Sequence, residues 1–164
     1  MTFLLQLLLY LACFVLCIQA AAKKGAVQVL FFYPEPVQEK VYASGIIDRK
    51  TVSKNKKRFF VILMLEILLL PVLFIGIWSR VTEFQTAFWQ VLVLLEAMNW
   101  FDGIFIDLLW VARDPFWKIE EAGNLEYVKS LSFVLKQRIL ASFVYIPAAA
   151  LLAWICVLTA RLFG

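Results

Sequence analysis

Four apolar runs, each long enough to cross a bilayer, leave this chain few folds to adopt. Residues 3–22, 59–78, 84–111 and 139–160 each supply the roughly 20 mostly apolar residues that a membrane helix needs. In hydrocarbon the backbone must bond to itself, so such runs fold as helices. The first run is longer than a signal-peptide core, and its positive charge, Lys23-Lys24, follows rather than precedes it. It reads as an uncleaved span, although Ala20-Ala21-Ala22 has the small residues a signal peptidase requires. The composition agrees with a lipid solvent: 63% of the 164 residues are apolar and 17% charged, against about half and about a quarter in soluble domains. The expectation is an all-α, polytopic bundle of four transmembrane helices, forming a single membrane domain over residues 1–164.

Charge sets the expected direction. Residues 23–58 hold nine Lys and Arg and residues 112–138 hold five, whereas the 79–83 turn holds only Arg80 and the C-terminal tail only Arg161. The positive-inside rule puts both long connections in the cytoplasm and both termini outside, in the plasma membrane. Trp78 and Trp89 flank the outer turn, and Trp110 and Trp117 the inner end of the third run, as interfacial aromatics do.

The first connection carries Pro34-Glu35-Pro36, then Val37, Val41 and Tyr42, with Gly45 positioned to end a helix. This pattern predicts a short amphipathic helix lying on the headgroups. The basic run at 49–58 would then rest on anionic lipid. It lacks the interleaved aromatics of a nucleic-acid site, and no nucleic-acid partner is expected. In the second connection Pro115 should end the third helix near Asp114, ahead of Glu120, Glu121, Glu126 and a turn at Gly123-Asn124.

Ionisable groups are costly inside a span, by at least about 2.5 kcal/mol each near its centre, and so mark candidate sites. Glu66, Glu96, Asp102 and Asp107 are the four here. On an ideal α-helix Glu96, Asn99, Gly103 and Asp107 share one face, with Asp102 about a third of a turn away. Glu66 and Asp102 lie about 10 Å and about 13 Å from the cytoplasmic ends of neighbouring antiparallel helices, at matched depth. The expected arrangement is a carboxylate ladder from Asp107, past Asp102 and Glu66, to Glu96 and Asn99. No Lys or Arg falls within the four runs, which leaves Arg113 and Lys118 at the cytoplasmic mouth as the nearest compensating charges.

Several chemistries drop out. The chain has no histidine, which removes histidine-ligated metals and Ser-His or Cys-His nucleophiles. Cys13, Cys17 and Cys156 lie inside apolar runs and read as packing residues. Asp102-Gly103 with Ala112-Arg113 is similar to part of the CDP-alcohol phosphotransferase motif, but the interval is too long and the downstream aspartates are missing. Glu96-x-x-Asn99 with Asp107 resembles the Glu/Asn stripe of the small bacterial diacylglycerol kinases over about a dozen residues. That family has three spans and a further glutamate where this chain has Gly103, so no function carries over.

Three functions fit these residues. The first is a proton- or cation-linked transport or ligand-binding component using Glu66, Glu96, Asn99, Asp102 and Asp107, assembled as a homo-oligomer or with a partner subunit. The second is an enzyme acting on a lipid or isoprenoid phosphate, with Glu66, Glu96 and Asp107 holding Mg²⁺ and Arg113 and Lys118 receiving phosphate. The third is an assembly subunit whose polar groups join helices. Outside the second reading, no metal or cofactor is expected.

Overall fold

A computed structural model describes residues 2–125 and 128–163; Glu126 lies outside them. The fold is all-α, with several long apolar helices as in a multi-span membrane protein. Helix α1 spans Phe3–Ala22. A 3₁₀ turn, Ala26–Phe32, and helix α2, Glu35–Ser44, occupy the first connection. Helix α3, Arg49–Pro71, continues as a π-helical stretch, Val72–Trp78. Helix α4, Phe84–Trp100, continues as a second π-helical stretch, Phe101–Trp110, and ends in the single turn α5, Val111–Arg113. Two short 3₁₀ turns, Pro115–Trp117 and Glu120–Ala122, precede α6, Leu131–Phe163.

Among the described residues, three helices are long and apolar enough to cross a membrane: Phe3–Ala22, Arg49–Trp78 and Leu131–Phe163. The fourth expected run, 84–111, is helical throughout but is not one of them. Helix α4 itself is 17 residues long, and with its extension it carries Glu96, Asp102 and Asp107. Helix α4 packs against α1, α3 and α6, with its largest contact on α6, and Ala87, Val91, Leu94 and Leu95 are fully buried. The face of α4 turned to these neighbours can carry polar groups that meet protein instead of lipid, while Phe84, Trp89 and Val93 stay exposed on the other. The other long helices turn more apolar surface outward, with Leu65, Leu69, Phe143 and Leu151 between 49% and 68% exposed. Apolar surface left open on this scale marks a lipid or protein contact.

Helix α3 starts ten residues before its apolar run, so the basic segment at 49–58 is helical. Asp48 caps it, accepting from the Thr51 N–H, and Lys and Arg are good helix formers. The Thr51 bonds hold the Asp48 carboxyl below the usual aspartate range. Pro71 removes one helical N–H and crowds the preceding turn, and the chain relaxes there into the wider π form. Gln6, fully buried on α1, donates to the Phe74 carbonyl at 3.1 Å and to Ser79 Oγ at 2.6 Å, closing the end of that stretch.

Two expectations are corrected. Helix α2 forms and ends at Gly45, whose φ of 75° suits glycine. However, Val37 and Val41 are fully buried and α2 packs on the Glu120–Ala122 turn, so its apolar face covers protein rather than headgroups. Trp117 is no surface anchor either. It is 2% exposed and meets Trp110 edge to face at 5.4 Å, whereas Trp78 and Trp89 are exposed.

Close approach of α6 depends on small residues. Ala149, Ala153, Cys156 and Ala160 form a fully buried stripe, opposed by Gly76, where a Cβ would lie 3.0 Å from the Cys156 carbonyl oxygen and 3.2 Å from Thr159 Cβ. Small residues let membrane helices approach in this way. Replacing Gly76 with Val should force α6 away and cost about 1–3 kcal/mol, read as a lower midpoint of thermal unfolding in detergent micelles; an unchanged midpoint would show that this approach is not needed.

Candidate functional site

The π-helical stretch sets the geometry of the acids. In an α-helix, residues five apart lie about 140° apart around the axis. A π-helix bonds i to i+5 and turns less per residue, which brings Asp102 and Asp107 toward one side. There a single side chain bridges them. Arg138 Nη1 lies 2.7 Å from Asp102 Oδ2, and Nη2 donates to Asp107 Oδ2 at 2.8 Å. Lys129 Nζ donates to both oxygens of Asp107, at 2.9 and 3.1 Å. Two carboxylates and two cations therefore balance. The Arg138, Asp107 and Asp102 side chains are only 14%, 11% and 27% exposed.

Room for Arg138 comes from Gly103. A Cβ there would stand 2.7 Å from Arg138 Nε and 2.8 Å from its Cγ, so the arginine lies where another residue would place its side chain. The backbone of Arg138 is used as well: its carbonyl accepts from Asn99 Nδ2 at 3.0 Å and lies 3.1 Å from Ser142 Oγ. Ser142 donates to Glu96 Oε2 at 2.7 Å, and Asn99 Nδ2 also lies 3.4 Å from that oxygen. Glu96, Asn99, Ser142, Arg138, Asp102, Asp107 and Lys129 thus form one continuous polar network between α4 with its π-helical extension and α6. Two atoms inside it, Asn99 Oδ1 and Arg138 Nε, are buried without a hydrogen-bond partner.

A cavity of about 280 Å³ adjoins the network. Asn99, Asp102, Asp107, Lys129 and Arg138 form its polar wall, and Phe14, Phe32, Phe59 and Leu63 are among the apolar residues opposite. A larger open groove of about 860 Å³, running along residues 31–36 and the start of α6, shares Phe32, Tyr33 and Lys129 with this cavity. Tyr33 donates to the Trp117 carbonyl at 2.6 Å, which ties the first connection to the second beside the shared wall.

The expected ladder is only partly assembled. Glu96, Asn99, Asp102 and Asp107 come together. Glu66 does not join them: it lies within electrostatic range of Tyr10, Cys13 and Cys17 on α1, whereas Asp102 is acted on by Arg138, Asp107 and Lys129. One Glu66 oxygen is buried without a hydrogen-bond partner, as is the Tyr10 hydroxyl. Arg113 and Lys118 are exposed and form none of the ion pairs found among the described residues. The compensating charges are Lys129 and Arg138 instead. Arg138 stands one residue before the apolar run, but α6 begins well ahead of that run and the long side chain reaches inward along the buried face.

A signal for this was present in the sequence. Arg138, Ser142, Tyr145, Ala149, Ala153, Cys156 and Ala160 follow one another at spacings of three and four, the repeat of a single helix face. That face is the one α6 turns toward the bundle. Lys129, placed by a connection, carries no comparable pattern.

Replacing Arg138 with Gln strands two carboxylates at once. Removing one partner of a buried pair typically costs about 3–5 kcal/mol, and a loss of that order is expected in detergent-micelle unfolding. Arg138→Lys should recover only part of it, because an ammonium lacks the planar fork that serves both acids. Adding Asp102→Asn and Asp107→Asn to Arg138→Gln should restore most of the stability; failure of that rescue would mean that Arg138 acts through packing alone. No protein-family model matches the chain, and no curated protein or solved structure matches it, so the geometry alone carries the functional reading.

Proposed function

We propose that this chain is a four-span plasma-membrane protein, one membrane domain with residues 84–111 as its third crossing and both termini outside. In this reading it binds lipophilic cations at Asp107 as a component of cation- or proton-linked transport. The observation that carries it is the cavity of about 280 Å³ lined by both carboxylates and aromatic rings. A hydrophobic cation satisfies both, through charge and through the ring faces. It takes the place of Lys129, the more accessible cation at 22% exposure, while Arg138 keeps Asp102 neutralised.

The open groove, which meets the cavity at Lys129, supplies an entrance. The Lys and Arg count of the two long connections supports a cytoplasmic placement of this entrance. A cavity of this size is small for a complete path, which calls for a second copy or a partner subunit. The Mg²⁺ enzyme reading has less support: among the described residues no three Asp, Glu, His or Cys side chains are grouped to hold a metal, and Glu66, Glu96 and Asp107 are not brought together.

Binding of tetraphenylphosphonium to the purified protein in detergent, followed by calorimetry, tests the proposal. Asp107→Asn should abolish saturable binding, and Lys129→Gln, by removing the competing cation, should tighten it. Equal binding by the unaltered protein and Asp107→Asn would overturn the assignment.

A further inference from the structure

A second cavity, of about 330 Å³, lies away from the charged network, between the end of α1, the Ala26–Phe32 turn and the start of the apolar part of α3. Three cations line it, Lys23, Lys24 and Arg58, and no acid does. None of the three belongs to an ion pair among the described residues. This contrasts with Arg49 on the same helix, which pairs with Glu39. The rest of the lining is largely apolar and includes Phe31, Phe59 and Ile62.

Backbone geometry and side-chain hydrogen bonds shape the walls. Gly25, with φ 106°, adopts a backbone that favours glycine and reverses the chain after α1. Asn55 Nδ2 then donates to the carbonyl and the side-chain oxygen of Gln28, at 3.1 and 3.0 Å, and so ties the turn to α3. Unpaired cations beside an apolar wall suit a ligand with a phosphate at one end and hydrocarbon at the other. Ile62 is 54% exposed and its neighbour Val61 59%, so the apolar wall runs out onto the lipid-facing side of α3. A free phosphate or nucleotide would leave that wall unused.

We infer that this pocket holds one anionic phospholipid of the surrounding bilayer, its phosphate between Lys23, Lys24 and Arg58 and an acyl chain along Phe31 and Ile62. Basic pockets between membrane helices recognise anionic headgroups in this way. The site shares Phe59 with the cation-binding cavity but takes its charges from other residues, so its test does not depend on that reading.

Native mass spectrometry of the full chain, released from micelles containing equal phosphatidylglycerol and phosphatidylcholine, reads out the lipid retained. One phosphatidylglycerol per chain is expected to remain. The double variant Lys24→Gln/Arg58→Gln should weaken its retention about tenfold or more, since each nearby cation contributes to anionic-lipid affinity. Lys23→Gln/Lys24→Gln should act in the same direction. Lys54→Gln/Lys56→Gln, which removes equal charge from exposed positions of α3 outside the pocket, should leave it nearly unchanged. Equal loss in the pocket and control variants would reduce the effect to diffuse surface charge. Equal retention of phosphatidylcholine, or full displacement of the lipid by glycerol phosphate, would also overturn the assignment.

Discussion

Arg138 joins the two helices with the largest mutual contact, and most of the polar interior is arranged around it. Its guanidinium answers Asp102 and Asp107, while its backbone carbonyl answers Asn99 and lies beside Ser142. A carboxylate in a weakly polar interior is tolerated only where a partner offsets its lost hydration. Arginine suits this because its planar fork serves two acceptors in fixed directions and stays charged. Removing it leaves two acids with no equivalent partner, since Lys129 reaches Asp107 alone.

Two local departures from regular structure make that bridge possible. The π-helical stretch Phe101–Trp110 changes the phase of the helix so that acids five residues apart face one partner. Gly103 leaves the space in which the arginine side chain lies. Each is unfavourable in isolation, because π-helical hydrogen bonding is rare and glycine weakens a helix interior. The ion pairs they permit offset that cost. The other π-helical stretch follows Pro71, has no acid within it, and is closed by Gln6 from the first helix. One deviation therefore comes from backbone sterics, while the other coincides with a charged site.

Helix α4 and its extension bury one face, while Phe84, Trp89, Val93, Ile104 and Phe105 stay exposed on the other. The outer helices α1, α3 and α6 turn large apolar side chains outward, whereas α4 and its extension concentrate Glu96, Asn99, Asp102 and Asp107 among neighbours. This is the distribution required when the surroundings offer no hydrogen bonds. Three of the four acids within the apolar runs lie on this helix and its extension.

The apolar runs, read alone, determined an all-α protein of long helices, the helix in the first connection with its glycine stop, and the gathering of Glu96, Asn99 and Asp107 on one face. Run length and helical periodicity are local properties, so the sequence carries them directly. Only the tertiary structure decided that Asp102 joins that face, that Glu66 turns to α1, and that Arg138 and Lys129 supply the balancing charge in place of Arg113 and Lys118. Those outcomes depend on a shift of helical phase and on which side chains face each other across helices. Both are set by the free energy of burying paired rather than unpaired charge, a quantity that exists only once the helices have packed.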